Sequence, residues 1–99
     1  MKVVIKGDSM WPKLNDGDTI DCVEYTGQVV ELKSLIVFTH PFKDSVTCVK
    51  RVSRIEGERF FVEGDNPDPM ASEDSHNFGW VHVGNLIAVG RESHKSKHN

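Results

Sequence analysis

Ser9 and Lys50 are the two residues whose type and setting point to covalent chemistry. Ser9 follows the short apolar run of residues 3–6. It lies in the Gly- and Pro-punctuated turn Gly7-Asp8-Ser9-Met10-Trp11-Pro12, where a hydroxyl can be presented at a surface. A serine hydroxyl is a weak nucleophile until a base takes its proton. Lys50 lies inside Val46-Thr47-Cys48-Val49-Lys50-Arg51-Val52, where alternation places Val46, Cys48, Lys50 and Val52 on one strand face and Thr47, Val49 and Arg51 on the other. An amine sharing a face with apolar side chains is desolvated, which disfavours the ammonium and lowers its pKa toward that of a working base. Taken singly, each residue has a plainer explanation: turn serines commonly bond local backbone, and strand lysines commonly reach past apolar neighbours to water. Histidine is the more usual helper of a nucleophilic serine, but a triad using His76 and Asp74 has no spacing signature behind it. His40, His76 and His82 likewise lack the spacing of a metal site.

The elements that must position these residues are strands. Apolar residues alternate or cluster in short runs separated by Gly, Asp, Asn and Pro. This pattern predicts strands over residues 3–6, 19–24, 29–31, 35–39, 46–55, 60–63, 80–83 and 86–89. No segment holds a 3.6-residue apolar period over three turns, so helix should be scarce, with one turn near residues 10–14. Asn15-Asp16-Gly17-Asp18 reads as a tight turn with Gly17 at positive φ. Glu56-Gly57-Glu58 joins strands 46–55 and 60–63 as a hairpin. Residues 64–79, with two prolines and many short polar side chains, show no periodicity. So long an irregular stretch in so small a domain reads as a functional loop. The predicted fold class is mainly β, a compact arrangement of short antiparallel strands with little helix. Residues 1–90 are expected to form the one domain that carries Ser9 and Lys50, and residues 91–99 a polar tail expected to be flexible.

Bulk properties narrow the function classes. Ninety-nine residues suffice for one modest core. A hydrophobic fraction of 37% with 27% charged residues is neither a membrane nor a disordered composition. The net charge of −3 gives no electrostatic footprint for nucleic acid. Cys22 and Cys48 sit in alternating stretches and read as buried free thiols of a reducing compartment, a bridge between adjacent strands being the alternative. Residues 1–6 lack the apolar segment of about 7–15 residues that a signal peptide needs, and no run approaches the roughly 20 residues of a membrane span. The chain is expected to be cytoplasmic, or membrane-associated if an anchor or partner supplies the attachment.

Three clusters occur in order: Gly7-Asp8-Ser9-Met10-Trp11-Pro12-Lys13-Leu14, then Lys50-Arg51-Val52, then Gly64-Asp65-Asn66 with Ser72-Glu73-Asp74-Ser75. Together they resemble the type I signal peptidase family of serine proteases. The first is similar to that family's nucleophile box Ser-Met-x-Pro-Thr-Leu, with Lys13 in place of Thr. Gly17-Asp18-Thr19-Ile20 resembles its Gly-Asp box, and Leu35-Ile36-Val37-Phe38-Thr39-His40-Pro41 its central strand, although Lys33-Ser34 stands where a Gly-Asp usually precedes it. The third cluster resembles the box Gly-Asp-Asn…Ser-x-Asp-Ser-Arg, with His76 at the arginine position, and Phe78-Gly79-Trp80-Val81 and Ile87-Ala88-Val89-Gly90 continue it. The self-cleaving SOS repressors share the serine and lysine features but not the last box, so the signal-peptidase side fits better. Among family members, the chain is most similar to the short, soluble maturation proteases of nickel-type superoxide dismutase.

This resemblance implies a signal-peptidase-like or SOS-repressor-protease-like β fold and a serine endopeptidase that needs no cofactor or metal. Ser9 would be the nucleophile and Lys50 the general base, and the Ser9 N–H would serve the oxyanion. Some relatives add a hydroxyl two residues before the nucleophile, where this chain has Gly7. Ser72 would hydrogen-bond the lysine, Asp74 would pair with the residue at position 76, and Gly64, Asp65 and Asn66 would shape the turn that returns the loop to the site. Met10, Trp11, Pro12 and Val49 would wall the substrate pocket. The partner would be a protein with a cleavable N-terminal leader, bound as an added strand. A general signal peptidase domain and a non-catalytic β-binding module that keeps the fold are the alternatives.

Overall fold

The computed structural model describes residues 1–91. Seven strands form one sheet in the order β1-β2-β7-β3-β4-β5-β6. They are β1 (Lys2–Val4), β2 (Thr19–Glu24), β3 (Leu35–His40), β4 (Lys43–Glu56), β5 (Arg59–Glu63), β6 (Val81–His82) and β7 (Leu86–Gly90). Every pairing is antiparallel. The mainly β expectation is met. The tail expected at residues 91–99 lies outside the described residues except for Arg91, whose N–H donates to the Asp21 carbonyl at 2.9 Å.

β3 is central and explains the layering. Its apolar run is buried on both faces, with Ile36 and Phe38 in a large cluster and Val37 in a small one. The large cluster adds Val52, Phe60, Val62, Phe78, Val81 and Leu86; the small one adds Cys22 and Ala88. Each fully buried aliphatic or aromatic side chain contributes about 1.5–3 kcal/mol, so these layers carry the fold. Two irregularities keep the right residues facing inward. The register shift between Val52 and Arg54 lets both Val52 and Ile55 join the large cluster although they are three residues apart. A second shift, opposite Val37 and Phe38, turns Leu86 to the large cluster and Ala88 to the small one.

Turn chemistry behaves as expected at two places. Asp18 N–H closes on the Asn15 carbonyl at 2.9 Å with Gly17 at φ +92°. The β4–β5 hairpin pairs Glu56 with Arg59 around Gly57 at φ +60°. One predicted strand is absent: residues 29–31 form no strand. Val30 fills the core while Val29 is 85% exposed, and the chain then turns through Lys33 at φ +73°. The supposed irregular stretch 64–79 holds two short helical segments, a 3-10 turn at Pro69–Ala71 and α1 (Ser75–Phe78). Asp74 caps α1 in a reciprocal box with Asn77. Cys22 and Cys48 are free thiols.

Candidate active site

Ser9 is delivered by a segment tied down on both sides. After β1, the Ile5 N–H donates to the Asp18 carbonyl at 2.7 Å and the Ile5 carbonyl accepts from Gly17 N–H at 2.8 Å. Gly7 takes φ +83° and its N–H donates to Asp16 Oδ1 at 2.7 Å. The turn expected at residues 10–14 is a single one, closed by Leu14 N–H on the Met10 carbonyl at 2.9 Å. The Trp11–Pro12 peptide within it is cis. Met10 is fully buried and anchors the turn, which leaves Ser9 half-buried.

Lys50 arrives from β4. Cys48 and Val52, its neighbours at i±2, pack in the large cluster while Val49 faces the small one, as alternation predicts. Lys50 is 7% exposed. Burial pushes its pKa below the ordinary lysine value, and Cys48, Asp74 and Glu73 act in the opposite direction. Burial likewise pushes the Cys48 thiol up. Ser9 and Lys50 line one cavity of about 150 Å³, walled by residues 4–6, Met10 and residues 47–49. Met10 and Val49 line this cavity, whereas the turn that buries Met10 carries Trp11 and Pro12 to the surface.

The Gly64-Asp65-Asn66 segment connects the two halves of the site. Asn66 N–H donates to the Ser9 carbonyl at 2.9 Å and Asn66 Nδ2 to the Asp8 carbonyl at 2.8 Å. Asp65 receives a two-pronged bond from Arg51, the residue after Lys50, at 2.9 and 2.8 Å. Gly64 is required by space: a Cβ there would lie 2.5 Å from Ser72 Oγ and 2.6 Å from the Ser9 carbonyl oxygen. Its N–H donates to Asp74 Oδ2 at 3.4 Å. Asp74 Oδ1 in turn accepts from His76 N–H and contacts His76 Nδ1, each at 3.0 Å, so His76 supplies the Asp74 partner.

One expected bond is not formed. Ser72 Oγ is fully buried without a hydrogen-bond partner among the described residues, so it does not hold the Lys50 amine. It is packed against Gly64 instead. The rival pairing of Asp74 with His76 exists, but the His76 ring packs edge-on against Phe61 at 5.2 Å and does not line the cavity with Ser9. Three supporting contacts escaped the sequence reading: Arg51 with Asp65, Ser75 Oγ accepting from Val62 N–H at 2.8 Å, and His40 Nε2 with Glu73 Oε1 at 2.8 Å. Of these only Ser75, placed directly after a helix cap, left a local signal. Chemically, a desolvated amine and a half-buried hydroxyl in one cavity can perform base-assisted nucleophilic attack.

Among known proteins, the family described as Peptidase S24-like matches residues 1–87. No curated protein matches the chain. Among the described residues, no helix is long and apolar enough to cross a membrane.

Proposed function

Because the chain belongs to the Peptidase S24-like family, we propose that it is a serine endopeptidase working through a Ser9–Lys50 dyad and acting on a protein substrate. The observation that carries this reading is the buried Lys50, its pKa lowered by desolvation, lining the same cavity as Ser9. Neutral Lys50 takes the proton as Ser9 Oγ attacks the scissile carbonyl. The oxyanion receives the Ser9 N–H, which donates to no acceptor among the described residues. The lysine ammonium then protonates the leaving amine, and water activated by the same amine hydrolyses the acyl-enzyme. Catalytic hydrogen bonds commonly tighten only in the substrate complex, and the buried, unpartnered Ser72 Oγ supports its reading as an acceptor for the Lys50 ammonium there.

The substrate enters as a strand. β4 pairs with β5 only from Arg51 onward, so residues 43–50 keep one open edge beside the cavity. Resemblance to the short maturation proteases makes the cut the removal of an N-terminal leader, with the nickel superoxide dismutase precursor as the substrate to try first. A general signal-peptidase role and a non-catalytic module are outcomes the test can return. Purified protein is incubated with that precursor and with internally quenched peptides carrying alanine beside the scissile bond. Ser9→Ala and Lys50→Ala should each abolish cleavage with the fold intact by circular dichroism. Full-rate cleavage by Lys50→Ala would sink the dyad, and a folded parent protein that cuts nothing would favour the binding module.

A further inference from the structure

Glu73 sits between Ser72 and Asp74, and its environment is built on the opposite side from theirs. Ser72 and Asp74 are extended residues that reach Gly64 at the site, one by packing and one by a hydrogen bond. Glu73 reaches away to the β3–β4 hairpin, where Oε1 lies 2.8 Å from His40 Nε2 and 3.8 Å from Lys43 Nζ. His40 is 3% exposed. Its ring is fixed by two further contacts: Nδ1 accepts the Phe42 N–H at 3.0 Å, and the ring packs edge-on against Phe78 of α1 at 4.9 Å. Because Nδ1 is an acceptor, the ring proton of neutral His40 is on Nε2 and points at Glu73.

We propose that His40 and Glu73 are positioning residues that clamp the Ser72–Asp74 run against Lys50 from outside the cavity. The inference rests on the Ser9–Lys50 reading and adds to it the group that fixes the loop. A buried histidine donating to a half-exposed carboxylate is an anchor with one orientation, whereas Glu73 alone would sample several. The clamp sets Ser72 Oγ, which has no hydrogen-bond partner among the described residues, and Asp74, which accepts from Gly64 N–H and whose charge favours protonated Lys50. Glu73 also acts on Lys50 through its charge. By their charge, Cys48 from β4 and Asp74 and Glu73 from the loop each favour the protonated form of Lys50. The bond from His40 is the main reason the Glu73 carboxyl stays below its ordinary pKa, with Lys43 and Lys50 adding to it.

Charge and clamp separate by mutation. Glu73→Gln keeps an acceptor for the His40 N–H but loses the charge, whereas Glu73→Ala loses both. His40→Phe keeps a ring over Phe78 but has no donor, and His40→Gln restores an N–H near the Nε2 position. The readouts are cleavage of the quenched alanine peptides across pH and titration of Lys50 in 13Cε-lysine NMR spectra, which needs no substrate. Glu73→Ala and His40→Phe should lower kcat by roughly 10–100-fold at unchanged melting behaviour. The double variant should be no worse than the more damaged single one. Glu73→Gln should lose less kcat than Glu73→Ala and shift both the Lys50 titration and the acidic limb of the rate profile to lower pH. His40→Gln should recover most of the rate. If His40→Phe does not fold, Glu73→Ala, at a half-exposed position, carries the test alone. Parental kcat and an unmoved Lys50 titration in Glu73→Ala, with Ser9→Ala still inactive, overturn the clamp. Cleavage surviving Ser9→Ala would instead overturn the dyad reading beneath it.

Discussion

Replacing Gly64 by alanine tests whether the Ser9 segment and the Ser72 loop really meet across a single backbone. Gly64 is not in the left-handed region, so the constraint is space alone. The new Cβ would stand 2.5 Å from Ser72 Oγ, 3.1 Å from Ser72 Cβ and 2.6 Å from the Ser9 carbonyl oxygen. Ser72 Oγ can rotate away at little cost because it has no partner to lose. The Ser9 carbonyl cannot, since it accepts the Asn66 N–H at 2.9 Å and Asn66 also holds Asp8. Ordinary contact therefore requires one backbone to retreat by several tenths of an ångström. Overpacking of this kind costs about 1–3 kcal/mol. Taking about 2 kcal/mol, and 4–8 °C per kcal/mol for a domain of this size, Tm should fall by about 8–16 °C. The same retreat displaces Ser9, and misplacement approaching 1 Å lowers cleavage by about 100-fold.

Thermal unfolding by circular dichroism reads the first effect, and cleavage of the quenched alanine peptides well below the melting range reads the second. Ser72→Ala supplies the control. It removes the Oγ collision but leaves Cβ at 3.1 Å and the Ser9 carbonyl in place, so the Gly64→Ala/Ser72→Ala protein should regain less than half of the lost Tm. A Gly64→Ala protein that melts within about 2 °C of the parent and cuts at the parental rate would refute the contact between the two segments.

Lys50→Met should cost about 10²–10⁴ in cleavage and yet stabilise the protein at neutral pH. The folded-state pKa of Lys50 lies below its ordinary 10.5, so between those two values the unfolded chain binds more protons and stability rises with pH. The penalty is complete below the depressed folded value and gone above 10.5, so the urea midpoints of parent and Lys50→Met should converge as pH rises through that window. A gap that stays constant or widens toward alkaline pH contradicts a desolvated amine. Lys33→Gly should stabilise by about 0.5–1 kcal/mol, because Lys33 holds φ +73°, a conformation that costs a side-chain-bearing residue about 1–2 kcal/mol. Its backbone bonds to Val52 and Arg51 would survive the change, and a lower urea midpoint would rule the explanation out.

Much of the sheet was legible because period-two alternation and turn residues are local signals. Strand ends differ where those signals stop. β4 begins at Lys43 and not at residue 46, since Lys43, Asp44 and Ser45 are exposed and are held only by the hairpin with β3. Residues 29–31 look like a strand because they are apolar, yet only Val30 finds a core and no neighbour pairs with them. α1 is four residues long, too short for any helical period, and its one local trace is the Asp74–Asn77 cap. At the site, the face carrying Lys50 could be read from Cys48 and Val52. The partners that fix the site could not: Arg51 finds Asp65 fourteen residues on, and His40 finds Glu73 thirty-three residues on. Those pairings are set by topology. The departure from the usual Gly-Asp at Lys33-Ser34 was visible, but that it places a lysine at positive φ was not.

Ser9 and Lys50 share no strand pairing, since Ser9 lies beyond β1 and Lys50 is registered to Ile36 of β3. What spans them is a short loop. Asn66 holds the Ser9 and Asp8 carbonyls, Asp65 holds Arg51 beside Lys50, and Gly64 meets Asp74 and Ser72. Disturbing any one of these contacts should move the Ser9 segment relative to the Lys50 amine. Substitutions at Gly64, Asp65 and Asn66 should therefore be strongly non-additive in kcat, as expected for residues sharing partners in one network. Surface changes on β2, which touch none of these contacts, should simply add. A set of loop variants whose effects on kcat sum independently would mean that each acts locally, and that the separation of Ser9 from Lys50 is set by the sheet alone.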